Sequence, residues 1–362
     1  MRVLFLQQQP CVRALKMAVA LRTARPDADI VFAYQGRTLS GYYGSGDEAF
    51  ARWCDLGADA RETLPAVLDE VRPDVVHSHN LPDTLTVLAL DLLGGRVPVV
   101  HDVHDLQSLR RTPYENGFEE PRDPLDLERR AIEGAAAVVT VSEELAAEIR
   151  GRYRAVGRMV VVPNYALRRD LPRRLGSTAA PRTDLPPRLV YQGTLSTNGG
   201  HYDLRDIFSA LVAQGVSLDV FPSRDVPEYR ELAAQAPGLS YHESLAPRPL
   251  LARLPSYDFG WAGFNERLNK PHIDTALPNK LFEYLACGLP VLTLGHRALT
   301  RFLRERGLGI ALESPLDLAG ELERHVVPKL RRRVAAVRSE MTVEANAAIV
   351  GDLYESLAAV AA

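Results

Sequence analysis

Lys280 and Glu283 are the charged residues of a mostly apolar stretch, Pro278-Asn-Lys-Leu-Phe-Glu-Tyr-Leu-Ala-Cys-Gly288. Pro278 and Asn279 predict the start of a helix, with Asn279 as its N-cap, and Gly288 predicts its end. A lysine beside the N–H groups of a helix start suits a phosphate, and a carboxylate one turn later suits the hydroxyl groups of a ribose. The spacing therefore indicates a nucleoside diphosphate site. The alternative is a core helix in which Glu283 pairs with an arginine, because a buried carboxylate requires a partner.

A second set of polar residues, mostly histidines, ends two neighbouring strands of the first half, in Val76-His-Ser-His-Asn80 and Val100-His-Asp-Val-His-Asp105. Residues two apart in a strand share a face, so His77 and His79 are expected to point together. These side chains either are polar groups satisfied at strand ends or form a metal site of imidazoles and carboxylates, as in a metal-dependent hydrolase.

Composition limits the class of protein that carries these residues. The 362 residues are 46% apolar and 25% charged, which predicts a globular chain with two domains of ordinary size. A net charge of −3 gives no general attraction to nucleic acid or membrane. The three scattered cysteines fit a reducing cytoplasm better than a disulfide framework. No apolar run reaches the ~20 residues of a membrane-spanning helix, and the N-terminus is predicted to be a strand, without a signal peptide.

Strands and helices alternate along both halves, which predicts two parallel, doubly wound sheets. The expected strands include residues 97–101 in the first half and 257–262 in the second. Gln7-Gln-Gln-Pro10 follows the first strand, so the glycine fingerprint of a dinucleotide site is absent there. Residues 42–46, Tyr-Tyr-Gly-Ser-Gly, are predicted to be a flexible loop, either plain surface or an acceptor contact. Residues 166–187, rich in arginine and proline, are predicted to be an interdomain linker.

The run from Pro278 to Val291 resembles the signature of retaining GT-B glycosyltransferases of the glycogen-synthase-like, group 1 (family 4) type. The resemblance covers nearly the whole chain and is more specific in the second half. It implies an α/β protein of two Rossmann-like, doubly wound parallel-sheet domains that face across a cleft. Residues 1–165 would bind the acceptor, residues 166–341 would bind the nucleotide sugar, and a C-terminal helix, residues 342–362, would pack back on the first domain.

The same resemblance implies roles for individual residues, in a site without a metal or other cofactor. The implied catalytic residues are His104, Asp105 and Lys280. Donor-binding residues would be Gly193, Thr194, Arg205, Thr275, Ala276, Leu277, Pro278, Asn279, Lys280 and Glu283. His79, Asn80 and Asn164 would lie at the acceptor side or the cleft. Thr275 replaces an acid common in the family, and the usual Arg-Lys phosphate pair is missing, so Lys280, Lys270 or Arg205 is expected to neutralise the diphosphate.

The expected reaction is transfer of a sugar from a UDP, dTDP or GDP donor to an acceptor hydroxyl or amine, with retention and without metal, in a bacterial pathway of polysaccharide or natural-product glycosylation. The acceptor is a small molecule, a glycan or a lipid-linked molecule. The alternatives are a GT-B sugar-nucleotide epimerase, a metal-dependent hydrolase using His77, His79, His101 and His104, and a non-catalytic partner subunit. The arginines between residues 150 and 188 either contact anionic lipid weakly or are solvated linker charge. Trp261, Tyr202 and His242 either stack a base or are core aromatics.

Overall fold

The computed structural model describes residues 1–112, 118–172, 186–324 and 327–361. The chain divides into two compact units, Met1–Asn164 with Val343–Ala362, and Tyr165–Thr342. Of the expected linker, residues 166–172 lie in the second unit, where Ala166 is buried and bridges to Thr342, whereas residues 173–185 lie outside the described residues.

The described part of the first unit contains a seven-stranded parallel sheet in the order β3-β2-β1-β4-β5-β6-β7. Its strands are β1 Arg2–Gln7, β2 Asp29–Tyr34, β3 Arg52–Asp55, β4 Val75–His79, β5 Val99–Val103, β6 Ala137–Thr140 and β7 Arg158–Val161. The helices between them are α1 Val12–Ala24, α2 Leu39–Tyr43, α3 Ala60–Val71, α4 Thr84–Leu93, α5 Pro124–Gly134 and α6 Glu143–Arg152. The predicted doubly wound sheet is confirmed for this unit.

Two local predictions for this unit are wrong. The loop predicted at residues 42–46 begins only at Gly44, because Tyr42 and Tyr43 lie in α2, Leu39–Tyr43, which is capped by the Thr38 hydroxyl and ended by the left-handed Gly44. The expected strand 97–101 is β5, Val99–Val103, so His101 and Asp102 lie inside the strand and not after it. Every residue of β4 and β5 is buried, as expected of central parallel strands. Polar side chains in these strands must therefore find partners inside the protein.

The second unit repeats the plan with six strands in its described residues, in the order β10-β9-β8-β11-β12-β13, all parallel. They are β8 Arg188–Gly193, β9 Ser217–Pro222, β10 Leu239–Tyr241, β11 Phe259–Trp261, β12 Val291–Leu294 and β13 Gly309–Leu312. The helices are α7 Arg205–Val212, α8 Pro227–Gln235, α9 Pro247–Arg253, α10 Lys270–Ile273, α11 Asn279–Ala286, α12 Arg297–Arg306, α13 Leu318–Arg324 and α14 Val327–Val337. Here too the predicted sheet is confirmed, although β11 is shorter than the expected 257–262.

Helix α11 is the predicted helix around Lys280 and Glu283, but it begins differently. Pro278 is the N-cap, with no side-chain hydrogen bond, and Asn279 is the first helical residue, so the prediction of an Asn279 cap is wrong. Six of its eight residues are buried, as the apolar pattern predicted. Tyr284 packs against β11 at Gly260, where an added Cβ would lie 2.3 Å from the tyrosine ring. Only glycine therefore permits this close packing of helix on strand.

The C-terminal helix, α15 Ala347–Ala361, belongs to the first unit and packs on α1. Its Tyr354 is fully buried and hydrogen-bonds through its hydroxyl to Nδ1 of His77 in β4. Within the described residues, no helix is long and apolar enough to cross a membrane.

Candidate functional site

The Lys280 side chain lies in a pocket of the second unit that we call the ammonium pocket, formed by Tyr191, Gly193, Tyr202 and Phe264. Its Nζ lies 4.0 Å from the centre of the Tyr191 ring, 5.6 Å from that of Phe264 and 5.9 Å from that of Tyr202. Lys280 is 7% exposed, and its Nζ has no hydrogen-bond partner among the described residues. Aromatic faces attract a cation but do not replace the hydrogen bonds that an ammonium makes in water. The pocket therefore presents an unsatisfied donor.

Burial changes the protonation of this amine. It lowers the pKa of Lys280 from the ordinary 10.5 to about 7, although the charge of Glu283 acts in the opposite direction. An anion beside Nζ would favour the ammonium form and raise the pKa again. The free protein therefore holds Lys280 near the midpoint of its titration at neutral pH.

Gly193 ends β8 at the edge of the ammonium pocket. Its φ of +125° is unusual for a residue with a side chain, and an added Cβ would lie 3.4 Å from Nζ of Lys280. The next residue, Thr194, accepts a hydrogen bond at its carbonyl from the Tyr191 hydroxyl. The end of β8, with Gly193 and Thr194, is thereby held close to Lys280.

Glu283 lies one turn after Lys280 and is half-buried. Its Oε2 accepts a hydrogen bond from the side-chain amide of Gln192, the residue before Gly193. The Gln192 amide is thus one partner of the Glu283 carboxylate. Lys280 and Glu283 remain on one side of α11, next to the end of β8.

The other residues expected at the helix start are engaged in local structure. The amides of Thr275 and Ala276 donate to the carbonyls of His272 and Ile273, at 3.1 and 3.2 Å, and Pro278 has no N–H. Thr275 is buried, and its hydroxyl donates to the His272 carbonyl. Leu277 is buried and Asn279 is exposed. The Ala276 amide is therefore already hydrogen-bonded in this structure, and Pro278 offers no N–H to a phosphate.

The two alternative cations are paired with acids. Arg205 donates to both carboxylate oxygens of Asp203, at 2.9 and 2.7 Å, and to the Thr197 carbonyl. Lys270 lies 3.1 Å from Glu266 and 3.4 Å from Asp274 on an exposed surface. Within the described residues, Lys280 is thus better placed than either to receive a phosphate.

The three aromatic residues considered for stacking on a nucleotide base lie in different surroundings. Trp261 is fully buried and donates its indole N–H to the Gly263 carbonyl, so it is a core residue. Tyr202 lines the ammonium pocket. His242 stacks on Phe221 with ring centres 4.5 Å apart and pairs with Asp219 at 3.1 Å.

In the first unit, His77, His79 and His104 lie around Asp102, a buried carboxylate. Nε of Arg13 lies 2.6 Å from its Oδ1, and the guanidinium also donates to the Val162 carbonyl and the Asn164 side chain. His77 and His79 lie 3.5 and 3.9 Å from Oδ2 of Asp102, with their ring centres 4.6 Å apart. The prediction that these two histidines share a face is confirmed.

His101 is not part of this group. It points to the other face of β5, where its Nε2 lies 3.1 Å from Asp83 and its Nδ1 lies 3.3 Å from the Thr86 hydroxyl. Strand alternation separates it from Asp102. The expectation of one cluster of four histidines is therefore wrong.

His104 and Asp105 follow β5 and are partly exposed. Nδ1 of His104 lies 3.7 Å from Asp102, and its backbone N–H donates to the side chain of Asn80. The Asn80 amide in turn donates to the Asp105 carbonyl. Asn80 is buried and supports this turn from inside through these two hydrogen bonds, and His79 is buried beside it. Asn164 accepts from Arg13, and its carbonyl accepts from Lys16.

Burial and charge determine the protonation of this group. Burial alone raises the pKa of Asp102, but Arg13 and the neighbouring imidazoles outweigh it, so the pKa lies well below the ordinary 3.8. Burial, with the charge of neighbouring groups, lowers the pKa of His77 and His79, which keeps both imidazoles neutral. His77, His79 and Asp102 have ligand atoms within 4.8 Å of one another, a spacing that a metal would accept. Arg13 already supplies the positive charge that Asp102 requires.

Sequence reasoning missed four of these residues, namely Tyr191, Gln192, Arg13 and Asp102. Two signals were present in the sequence. Tyr191 and Gln192 immediately precede a glycine at a strand end, and Asp102 stands among histidines. Arg13, on a helix far from Asp102 in sequence, carries no such signal.

Comparisons with known proteins agree with this architecture. Residues 17–165 match the family model described as Glycosyltransferase Family 4. No curated protein sequence gives a significant match. Sucrose-phosphate synthase from Thermosynechococcus elongatus is 14% identical, with a TM-score of 0.71 over 99% of this chain and 100% of that one.

Two further solved structures share the fold. HepE from Anabaena, in complex with UDP-glucose, is 14% identical, with a TM-score of 0.69 over 98% of this chain and 100% of that one. A protein described as a UDP-N-acetylglucosamine 2-epimerase from Listeria monocytogenes is 12% identical, with a TM-score of 0.57 over 97% and 94%. The Glycosyltransferase Family 4 model thus matches residues 17–165, in the first unit, and the solved structures show that the chain has the GT-B fold of two Rossmann-like, parallel-sheet domains.

Proposed function

We propose that the protein transfers a sugar from a nucleoside diphosphate donor to an acceptor hydroxyl or amine, with retention and without a metal ion. The observation that carries the proposal is the buried Lys280 ammonium, which has no hydrogen-bond partner among the described residues and lies one turn before Glu283. A phosphate would supply the missing acceptor, and the ribose of the same nucleotide would bring its hydroxyl groups toward Glu283.

Transfer displaces a diphosphate, so the protein must stabilise negative charge on the leaving phosphate. With a phosphate bound, the Lys280 amine would be fully protonated, and its positive charge would act in a buried pocket where electrostatic interactions are strong. The N-terminal end of α11 adds the positive end of its dipole. These two features perform the task that a metal ion performs in metal-dependent transferases. HepE, which shares the fold, is known in complex with UDP-glucose, which supports a donor of this class.

We further propose that the first unit binds the acceptor, with His104 and Asp105 as its catalytic residues. Both are partly exposed, and Asn80 ties their backbone together. The neutral histidines and the ionised Asp102 beneath them form a rigid polar support. For location we propose a reducing cytoplasm, consistent with Cys11, Cys54 and Cys287 as free thiols. The acceptor class and weak contact with anionic lipid remain proposals from the sequence.

The alternative functions named from the sequence predict different results in an activity assay. An epimerase would convert the nucleotide sugar without an acceptor, a hydrolase would require metal, and a partner subunit would turn over no donor. His101 lies apart from His77 and His79, which argues against the alternative of a metal-dependent hydrolase that uses all four histidines. Donor turnover with and without a chelator, followed by analysis of the sugar product, separates these functions.

The test of the proposal is binding of UDP, dTDP and GDP to the purified protein by calorimetry. One nucleotide is expected to bind, and Glu283→Ala is expected to weaken it about tenfold to a hundredfold, since hydrogen bonds to a charged group contribute ~1.5–3 kcal/mol. Glu305→Ala, on the exposed surface of the same unit, serves as the control and should bind normally. Absence of binding by all three nucleotides to a folded sample would refute the proposed function.

The pKa of Lys280 predicts a pH dependence of this binding. Its ammonium is the binding form, and the pKa of about 7 in the free protein means that the ammonium is lost as pH rises above neutrality. Between pH 7.5 and 9 the terminal phosphate is fully ionised, because its second pKa is ~6. The dissociation constant is therefore expected to rise with pH, approaching about tenfold per pH unit. Calorimetry in buffers of different ionisation enthalpy should also detect uptake of a proton, whereas a flat profile would contradict this assignment.

A further inference from the structure

Gln192 is the penultimate residue of β8, and its side chain is held in one orientation beside Glu283. It is 5% exposed, its side-chain amide donates to Oε2 of Glu283, and its backbone N–H donates to the Tyr284 hydroxyl at 3.0 Å. Tyr284 itself is fixed by close packing on Gly260. Strand β8 and helix α11 thus hold Gln192 from both sides.

The orientation of the Gln192 amide follows from charge. Nε2 must face the carboxylate, because the flipped amide would place Oε1 against a negatively charged oxygen. Oε1 is therefore turned away from Glu283. It is buried and has no hydrogen-bond donor among the described residues. A buried acceptor without a donor is unfavourable, and such an atom is a candidate for contact with a ligand.

Two acceptors therefore lie side by side, the Glu283 carboxylate and Oε1 of Gln192, one helical turn from the Lys280 ammonium. Acceptors suit hydroxyl groups and repel phosphate, whereas Lys280 suits phosphate. One turn of helix rises ~5.4 Å, a distance comparable to that between a ribose and its own 5′-phosphates. The order of these groups along α11 thus matches a nucleotide with its phosphates at the helix start.

We propose that Glu283 and Gln192 together accept hydrogen bonds from both ribose hydroxyls, so that the donor is a ribonucleoside diphosphate sugar and not a 2′-deoxyribonucleotide such as a dTDP sugar. This inference rests on the proposed function and selects among its donors. A deoxyribose lacks one of the two hydroxyl donors, and one that fails to reach Oε1 of Gln192 would leave that buried acceptor without a hydrogen bond. Sites built to bind a hydroxyl group discriminate strongly against the analogue that lacks it. Gln192 also positions Glu283, because its amide holds the carboxylate in place.

The experiment compares UDP, 2′-deoxy-UDP and 3′-deoxy-UDP by calorimetry on the wild-type protein and on Gln192→Leu. Each deoxy nucleotide is expected to bind the wild-type protein about tenfold to a hundredfold more weakly than UDP. In Gln192→Leu, UDP should bind more weakly, and the penalty for one of the two deoxy nucleotides should fall to within about threefold. Gln192→Met is the second variant, used if Gln192→Leu does not fold.

Thr293→Val is the matched control. Thr293 lies buried in β12 of the same unit, and its hydroxyl also lacks a hydrogen-bond partner among the described residues. Its removal should leave all three affinities and their ratios unchanged.

The outcomes separate the two proposals. If none of the ribonucleotides and deoxyribonucleotides binds the wild-type protein, and GDP and dTDP also fail, the proposed function itself is refuted. If UDP and its deoxy analogues bind equally well, or if the variants keep the full wild-type preference, the role of Gln192 is refuted while the nucleotide site stands. Equal or tighter binding of dTDP relative to UDP would likewise overturn the inference.

Discussion

Lys280→Met is expected to weaken nucleoside diphosphate binding about a hundredfold and to make the protein more stable. Binding weakens because the variant loses a charge-assisted contact in a dry pocket, and removal of one such electrostatic contact commonly costs ~10²–10³-fold in rate as well. Stability rises because methionine has a similar length and leaves no buried amine without a partner. A residue that lowers stability while serving ligand binding is a mark of a functional site.

The stability difference should depend on pH in a defined direction. Burial places the pKa of Lys280 at about 7 in the folded protein, below its ordinary value of 10.5. Between these two values the unfolded chain binds the extra proton, so wild-type stability increases as pH rises. The advantage of Lys280→Met should therefore be largest at or below pH 7 and disappear near pH 10.5. At ~1.4 kcal/mol per pH unit, its upper limit is ~5 kcal/mol.

Denaturant unfolding of both proteins at pH 6.5, 8 and 9.5, with calorimetric binding of the diphosphate, measures both effects. Lys270→Met is the matched control, since Lys270 is exposed and paired with Glu266 and Asp274. This control should change affinity by less than about threefold. Unchanged binding by Lys280→Met, together with a large loss in Lys270→Met or Arg205→Met, would transfer the phosphate contact to the other cation.

Asp102→Asn is expected to destabilise the first unit by about 3–5 kcal/mol. The substitution leaves the Arg13 guanidinium buried without its carboxylate, and breaking a buried ion pair from one side is strongly unfavourable. The double variant Arg13→Met/Asp102→Asn should recover much of this loss, because it removes both charges. Since the chain has two units, the change is best measured by hydrogen exchange in β5 alongside denaturant unfolding.

The matched control for this prediction is Asp206→Asn. Asp206 pairs with Arg267 at 2.7 Å, a distance similar to that of the buried pair, but both side chains are largely exposed. Exposed pairs contribute ~0–1 kcal/mol, so little change in stability is expected. Equal losses in Asp102→Asn and Asp206→Asn would show that burial does not govern the Arg13–Asp102 interaction.

The regular alternation of strand and helix patterns along the sequence predicted the architecture well. Alternating apolar strands and amphipathic helices predicted both parallel sheets, because the hydrophobic period of a strand or helix can be recognised within a short run of consecutive residues. The edge strand β3 was missed, since its half-buried residues lack a continuous apolar run. Helix α2 was also missed, because Tyr-Tyr-Gly-Ser-Gly is typical of a loop and only the Thr38 cap and tertiary packing make it helical.

For the candidate site, the sequence by itself determined that Lys280 and Glu283 lie one turn apart on a buried helix, because both belong to one local segment with a clear period and clear ends. Only the tertiary structure decided which groups meet them. Tyr191 and Gln192 come from a strand about ninety positions away, and Arg13 reaches Asp102 across a similar separation. Contacts of this kind depend on strand order and helix packing, so no window of consecutive residues contains them. The tertiary structure also shows that Arg205 and Lys270 are already paired, and that Lys280 has no hydrogen-bond partner within the described residues.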